Sequence, residues 1–165
     1  MNINDAIRTR RAVRQFTTEP IPDEVLEAIL NAGRRSQSSK NRQPWTFIVV
    51  RDRERLKLLS TAGDFAQHIA GAAVAVVLVG SQSTLWNAFD LGQAAALMQL
   101  AAYEYGIGSV IANFHRPDDA RKILGVPEDQ NLMGAISFGY PAPDQKPNKM
   151  GGRKPLDELV RQETW

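Results

Sequence analysis

The chain has 165 residues, of which 43% are hydrophobic and 23% charged, and its formal net charge is +2. This composition is ordinary for a globular protein with a buried core, so we expect one domain over residues 1–165. The small net charge argues against a nucleic-acid partner, and the lack of cysteine excludes thiol catalysis, disulfides, iron–sulfur clusters and cysteine zinc sites.

Helices and strands alternate along the sequence. Apolar residues at helical spacing predict helices, and compact β-branched or apolar runs predict strands. The predicted helices are residues 3–9, 22–33, 54–61, 88–105 and 117–124, the last of them closed by Gly125, with a further short turn within 64–71. The predicted strands are residues 46–50, 73–79, 109–112 and 133–138. This alternation favours an α/β or α+β fold with helices on both faces of a sheet.

The predicted helix 88–105 is apolar over most of its circumference. Such a helix has to be buried on every side, and in a protein this small that requires a second subunit, so we predict a homodimer. Gln93 and Gln99 interrupt the apolar run, and residues 1–5 lack the basic-then-apolar pattern of a signal peptide. We therefore expect a cytoplasmic protein with no membrane partner.

Three arginines stand within five positions just after the first helix. Arg10, Arg11 and Arg14 offer planar forks of N–H donors, which suit a phosphate group. Arg153 follows Gly152 and is a second candidate, because glycine lets a backbone approach a ligand closely. The alternative is a solvated surface cluster, since most arginines are exposed.

A polar loop precedes the first predicted strand. Ser38, Ser39, Asn41 and Gln43 supply hydroxyl and amide groups directly before a Pro-Trp corner, at a sheet edge where ligand sites collect. The same residue types favour turns by bonding their own backbone, so a plain turn is the alternative. Together with the arginines, this loop predicts a flat, phosphorylated ligand.

Other common site motifs are missing from the sequence. No G-x-G-x-x-G loop follows a strand, and neither a P-loop nor a nucleophile elbow occurs. His68 and His115 are too few and too far apart to predict a metal site, and His68 is expected to pack or to cap. Because the chain has no cysteine and no evident acid–base pair, redox chemistry would have to come from a bound cofactor.

Four segments in matching order resemble the nitroreductase family of flavin enzymes over essentially the whole chain. They are the arginine segment 10–16, the Ser-Ser-x-Asn-x-Gln-Pro-Trp stretch at 38–45, the helix region 90–108 and the Arg-Lys-Pro-Leu at 153–156. The resemblance implies an α+β fold, a three-layer α/β/α sandwich around a mostly antiparallel sheet, in an intertwined homodimer. It also implies one FMN at each end of the subunit interface, with contacts from both chains.

The resemblance gives the arginine segment definite roles toward FMN. Arg10 and Arg153 match the two phosphate-binding arginines of the family. Arg11 and Ala12 match ribityl and phosphate contacts, although Ala12 replaces a common serine. Arg14 matches the basic residue that reaches toward the pyrimidine side of the flavin.

Two other segments complete the implied site. Ser38, Ser39 and Asn41 would contact the flavin that is bound mainly to the other subunit. Ala112 and Asn113 would present backbone groups near the reactive nitrogen of the flavin. No side chain of the chain is implied as a catalytic residue.

The implied activity is reduction of a nitroaromatic, quinone or similar small-molecule acceptor by NAD(P)H, through FMN and with ping-pong kinetics. Gly80 leads almost directly into the helix that begins at Ala88, so segments that often roof the substrate pocket are missing and an open site is expected. Gln37 also stands where the family usually has proline. The alternatives are a non-catalytic protein that holds flavin or another phosphorylated ligand and, less favoured, a nucleic-acid binder.

Overall fold

The computed structural model describes residues 2–81, 84–145 and 152–165. The helices are α1 Ile3–Thr9, α2 Asp23–Arg34, α3 Arg53–Ser60, α4 Leu85–Glu104, α5 Pro117–Leu124 and α6 Leu156–Leu159. The strands are β1 Trp45–Val50, β2 Val74–Ser81, β3 Gly108–Ala112 and β4 Gln130–Gly139. Short 3₁₀ turns lie at Ser39–Asn41 and Gln67–Ile69.

The four strands form one antiparallel sheet in the order β1-β2-β4-β3. β2 lies at its centre and is buried on both faces from Val74 to Gly80, as its uniformly apolar sequence predicts. β1 and β3 are the edge strands of this sheet. The register between β2 and β4 shifts after Leu78, where Gly134 takes a φ of 137°.

Alternate residues of β2 belong to the two halves of the hydrophobic core, one on each face of the sheet. Val77 and Val79 pack with the helices α3 and α5, and Val76 and Leu78 pack with α2 and α4 on the opposite face. The fold is therefore α+β, a three-layer α/β/α sandwich around an antiparallel sheet, and the expected fold class is confirmed.

The predicted elements are all present, with differences at their ends. α4 begins at Leu85 instead of Ala88, because the hydroxyl of Thr84 accepts the N–H of Asn87 at 3.1 Å and caps the helix. The segment 64–71 contains only the 3₁₀ turn. The expectation that the helix closed by Gly125 is the last one is wrong, since α6 follows Pro155.

One side of α4 is exposed within a single chain. Its buried residues, among them Leu91, Met98 and Ala102, face the sheet and α2, whereas Phe89 and Leu97 face outward. In a single chain, α4 is therefore not buried on every side. The homodimer that would bury its exposed side stays a prediction. Among the described helices, none combines the length and apolar character that crossing a bilayer requires.

Candidate functional site

The arginine segment runs along the edge strand β3. Ala12 forms an isolated parallel bridge with Ser109, and the N–H of Val13 donates to the carbonyl of Ser109 at 3.1 Å. The side-chain oxygen of Gln145 accepts the backbone N–H groups of Arg14 and Gln15 at 3.0 and 2.9 Å. The backbone of this segment is thus fixed on both sides.

The charges of the segment are not compensated by the chain's own acids. Among the described residues, no carboxylate lies within ion-pair distance of Arg10, Arg11 or Arg14, whereas the nearby Arg8 pairs with Asp5 at 3.3 Å. Burial, and to a smaller extent the neighbouring Arg11, lower the pKa of the Arg10 guanidinium. A half-buried cation without a partner is unfavourable, so this cluster suits an anion.

The end of β3 lies in close contact with two glycines. A Cβ at Gly63 would stand 2.3 Å from the carbonyl oxygen of Asn113, and one at Gly134 would stand 2.5 Å from that of Ala112. Ala112 is buried and Asn113 is exposed. The backbone after β3 is therefore held tightly while its outer side stays accessible.

A buried histidine lies near the arginine segment. His68 is 8% exposed, and its Nδ1 lies 2.9 Å from the hydroxyl oxygen of Ser137 on β4. Burial, and to a smaller extent the charge of Arg14, lower the pKa of His68 to about 4. The imidazole is therefore neutral at pH 7, and the Ser137 hydroxyl is its polar partner. It packs in the interior near Arg14, and therefore close to the predicted flavin site.

Residues 38–43, here called the serine loop, adopt an unusual backbone. Lys40, Asn41 and Gln43 have φ values of 53°, 54° and 48°, which residues with a Cβ rarely take. The hydroxyl of Ser38 accepts the N–H of Gln43 at 2.9 Å and closes the loop. Such conformations persist only when surrounding contacts hold them, and they cluster at ligand sites.

The serine loop is anchored to the first half of α4. The N–H of Ser39 donates to Oδ2 of Asp90 at 3.1 Å, and Nε2 of Gln37 donates to Oε1 of Gln93 at 2.6 Å. A groove of about 290 Å³ runs between loop and helix. It is lined by Gln37, Ser38, Ser39, Trp86, Phe89, Asp90 and Gln93.

The two groups of predicted site residues lie at opposite ends of α4. The serine loop is tied to Asp90, whereas the hydroxyl of Thr9, next to the arginine segment, lies 2.9 Å from the hydroxyl of Tyr103. Tyr103 lies thirteen positions after Asp90, which is about 20 Å at a helical rise of 1.5 Å per residue. One chain therefore brings the arginine segment to β3 but keeps the serine loop away from it.

Arg153 stands apart from the other predicted residues. It is exposed, and the hydrogen bonds that residues 152–165 form with other described residues all lie within that segment. The glycine that precedes Gly152 lies outside the described residues. Arg153 therefore has no described contact with Arg10.

Sequence reasoning missed several residues that shape the site. Asp90 and Gln145 fix the two binding segments, and Gly63 supports the end of β3. An acid within the apolar stretch of a helix was a usable signal for Asp90, because buried acids are rare unless they have a partner. Within the described parts of the chain, no three His, Asp or Glu side chains come together as a metal site.

Comparison with known proteins identifies the family. The sequence profile of the nitroreductase family matches residues 7–78 and 63–140. An Archaeoglobus fulgidus protein, provisionally named an NADH dehydrogenase/NAD(P)H nitroreductase, is 34% identical over 96% of each chain. The chain belongs to the nitroreductase family and is therefore an oxidoreductase.

Two further relatives carry more specific names. The NADPH-flavin oxidoreductase of Vibrio harveyi is 30% identical over 99% of this chain and 75% of its own length. The structure of an FMN-dependent nitroreductase from Clostridium difficile superposes with a TM-score of 0.87 at 26% identity, over 98% of this chain and 99% of the other.

Proposed function

We propose that this chain is an FMN-dependent oxidoreductase that uses NAD(P)H to reduce small organic acceptors. The single observation that carries the proposal is the uncompensated cation cluster at Arg10, Arg11 and Arg14, fixed along β3 in a chain of the nitroreductase family. The names of the relatives from Vibrio harveyi and Clostridium difficile support flavin and NADPH as the ligands.

The residues present fit the phosphate of FMN. Arg10 is half-buried without a described acid partner, so a phosphate dianion would both compensate its charge and accept its N–H groups. Arg11 and the backbone of Ala12 stand beside it on the same fixed segment. Arg153, exposed and without a described partner, would add a second guanidinium once its segment docks.

The chemistry of electron transfer comes from FMN, which when bound accepts a hydride from NAD(P)H and passes two electrons to an acceptor. The residues of the chain position the ring and tune the electrostatics around it. Arg14 would stabilise negative charge that develops at the pyrimidine edge, in a partly dry site. His68 stays neutral beside it, which leaves Arg14 as the charged donor there.

The site requires a second copy of the chain. Asp90 holds the serine loop, and Tyr103, about 20 Å further along α4, contacts Thr9 next to the arginine segment, so Ser38, Ser39 and Asn41 would contact the flavin of the partner subunit. The exposed side of α4 supports this arrangement, since a twofold partner would cover its apolar residues. Both observations support a homodimer with two shared sites.

The acceptor would bind at the position that the nicotinamide vacates. A nitro compound, one NAD(P)H and one proton would give a nitroso compound, NAD(P)⁺ and water, and a quinone would take up two electrons and two protons. Since the two substrates would occupy the same face of the ring in turn, initial-rate plots should show ping-pong kinetics.

Anaerobic reduction tests this function directly. Purified protein mixed with FMN should become yellow, bleach when NADH or NADPH is added, and regain colour with a nitroaromatic or quinone. A protein that only stores flavin would stay yellow with both nicotinamides. A colourless protein that retains DNA would favour a nucleic-acid binder instead, with binding that weakens steeply as salt increases.

A further inference from the structure

Arg116 joins two segments that are distant in the sequence. It stands between β3 and α5, and its guanidinium reaches the turn that follows α3. Nε and one terminal nitrogen donate to the carbonyl of Thr61 at 3.0 and 2.6 Å, and the other terminal nitrogen donates to Oδ1 of Asp64 at 2.6 Å. Its backbone N–H donates to the carbonyl of Ala62 at 2.9 Å. One residue thus makes four hydrogen bonds to residues 61–64.

A further hydrogen bond runs in the opposite direction. The backbone N–H of Asp64 donates to Nδ1 of His115 at 3.1 Å. The hydrogen bond from Arg116 lowers the pKa of Asp64 below its ordinary value, so the carboxylate stays ionised at neutral pH. Residues 61–64 and 115–116, here called the clamp, are therefore held together through both their backbones and their side chains.

The clamp fixes geometry more than it adds stability. The side chains of Arg116 and Asp64 are 46% and 55% exposed, and an exposed ion pair contributes little to the free energy of unfolding because water screens it. A guanidinium is planar, however, and three of its donors here meet two acceptors, which restricts the relative position of the two segments. The effect of the clamp should therefore appear in the backbone that lies against it.

That backbone belongs to Asn113. Its carbonyl oxygen packs so closely on Gly63 that a Cβ at Gly63 would stand 2.3 Å away. Asn113 directly follows the edge strand β3, it is exposed, and its N–H has no acceptor among the described residues. A backbone N–H is a strong donor that normally has a partner. A donor that is fixed, accessible and unpaired suits an acceptor atom of a ligand.

This inference rests on the proposed function, in which the backbone of Ala112 and Asn113 would lie near the reactive nitrogen of the flavin. We propose that Arg116 and Asp64 are positioning residues that hold the Asn113 N–H against the flavin ring and thereby favour its reduced form. An N–H dipole that points at the ring stabilises negative charge added to the ring, and a dipole already in place does so without rearrangement. Neither side chain has to touch the flavin for this effect.

Hydrogen exchange in the FMN-free protein tests whether the clamp holds this backbone. The amide of residue 116 is the probe, because its N–H donates to Ala62 and is present in every variant. In Asp64→Ala and in Arg116→Ala, this proton should exchange about tenfold faster, as expected when local opening becomes easier. Exchange at the wild-type rate in both variants would overturn the inference.

Potentiometry of the FMN-loaded protein tests the effect on the flavin. In both variants the affinity for oxidised FMN should change little, because Arg10 and Arg11 are untouched. The reduced form should lose about tenfold more affinity than the oxidised form, which lowers the midpoint potential of this two-electron couple by about 30 mV.

Arg51→Ala is the matched control for both measurements. Arg51 follows β1, the edge strand opposite β3, and its side chain is 45% exposed and pairs with Asp23 at 2.6 Å. This variant therefore loses an ion pair of the same length and similar exposure, and it should keep the wild-type potential and the wild-type exchange of residue 116.

The failure of the inference and the failure of the proposed function give different results. If residue 116 exchanges faster while the potential stays unchanged, Arg116 only secures the start of α5, and the inference is wrong while the proposed function stands. An equal drop in potential in Arg51→Ala would also overturn the inference alone. Wild-type protein that takes up no FMN would overturn the proposed function and the inference with it.

Discussion

The backbone N–H of Ser39 donates to the carboxylate of Asp90 at 3.1 Å, and this bond ties the serine loop to α4. The loop contains three residues other than glycine with positive φ, at Lys40, Asn41 and Gln43. Each of these raises the free energy of the loop by about 1–3 kcal/mol unless contacts compensate for it. The Ser39–Asp90 bond is therefore one of the contacts that keep the predicted flavin-binding loop in shape.

Removal of the Asp90 carboxylate should loosen the loop. Asp90→Ala leaves the Ser39 N–H without its acceptor and should lower the free energy of unfolding by about 2 kcal/mol, the usual effect of losing a hydrogen bond to a charged group. FMN affinity should fall about tenfold because the loop is less ordered. Urea unfolding and FMN titration measure both effects. Asp90→Asn is the control and should retain most of the affinity; equal losses in the two variants would contradict this role.

Arg10 should bind the phosphate group and not the flavin ring. Arg10→Ala should weaken FMN binding by about 10- to 100-fold, as expected for a charge-assisted hydrogen bond, and leave riboflavin binding unchanged. Fluorescence titration with the two ligands makes the comparison. Arg8→Ala serves as the control, because Arg8 is exposed and already pairs with Asp5. An equal loss of affinity for FMN and riboflavin would show that Arg10 acts elsewhere.

His68 should make the stability of the protein depend on pH. Its folded-state pKa of about 4 lies below the usual value near 6.5, so the unfolded chain binds more protons between these values. The free energy of unfolding should therefore fall as the pH falls from about 6.5 to 4, by up to about 3 kcal/mol from this residue. His68→Gln should remove that part of the slope in pH-dependent urea unfolding. The exposed His115→Gln is the control, and a slope unchanged by His68→Gln would refute the assignment.

Gly63 should be required for the position of Asn113. Gly63→Ala would place a Cβ 2.3 Å from the Asn113 carbonyl oxygen and 2.9 Å from the Cβ of Ala66. The backbone has to shift, so stability should fall by about 1–3 kcal/mol and the visible spectrum of bound FMN should change. Gly71→Ala meets no atom within 4 Å and should leave both unaffected. Equal stability of the two variants would argue against a tight contact here.

The sequence was sufficient for the fold because its local signals agree. The uniformly apolar β2 and the amphipathic α2 each have one arrangement that buries their apolar residues, and the structure adopts it. The predicted start of α4 at Ala88 is three residues late, because the apolar pattern alone does not reveal the capping hydroxyl of Thr84. α6 was missed because four residues, Leu156–Leu159, give too little periodicity to recognise.

The candidate site was harder to predict because its geometry depends on contacts between distant segments. The arginine segment could be found from composition alone, whereas its alignment with Ser109 depends on a bridge across almost a hundred residues. The acid that holds the serine loop lies fifty-one residues further along the chain. Trp86 stands before the predicted start of α4 at Ala88, and only the structure shows that it and Phe89 are exposed.

Subunit complementation tests most directly whether two chains share each flavin site. One chain would carry Arg10→Ala and the other the pair Ser39→Ala and Asn41→Ala, and at an FMN concentration too low to load either variant, each should be almost inactive by itself. After mixing and refolding, half of the dimers contain one of each chain, and in these one site has both wild-type halves. The account predicts recovery of about a quarter of the wild-type NAD(P)H-dependent acceptor reduction. A mixture as inactive as the two parent proteins would contradict it.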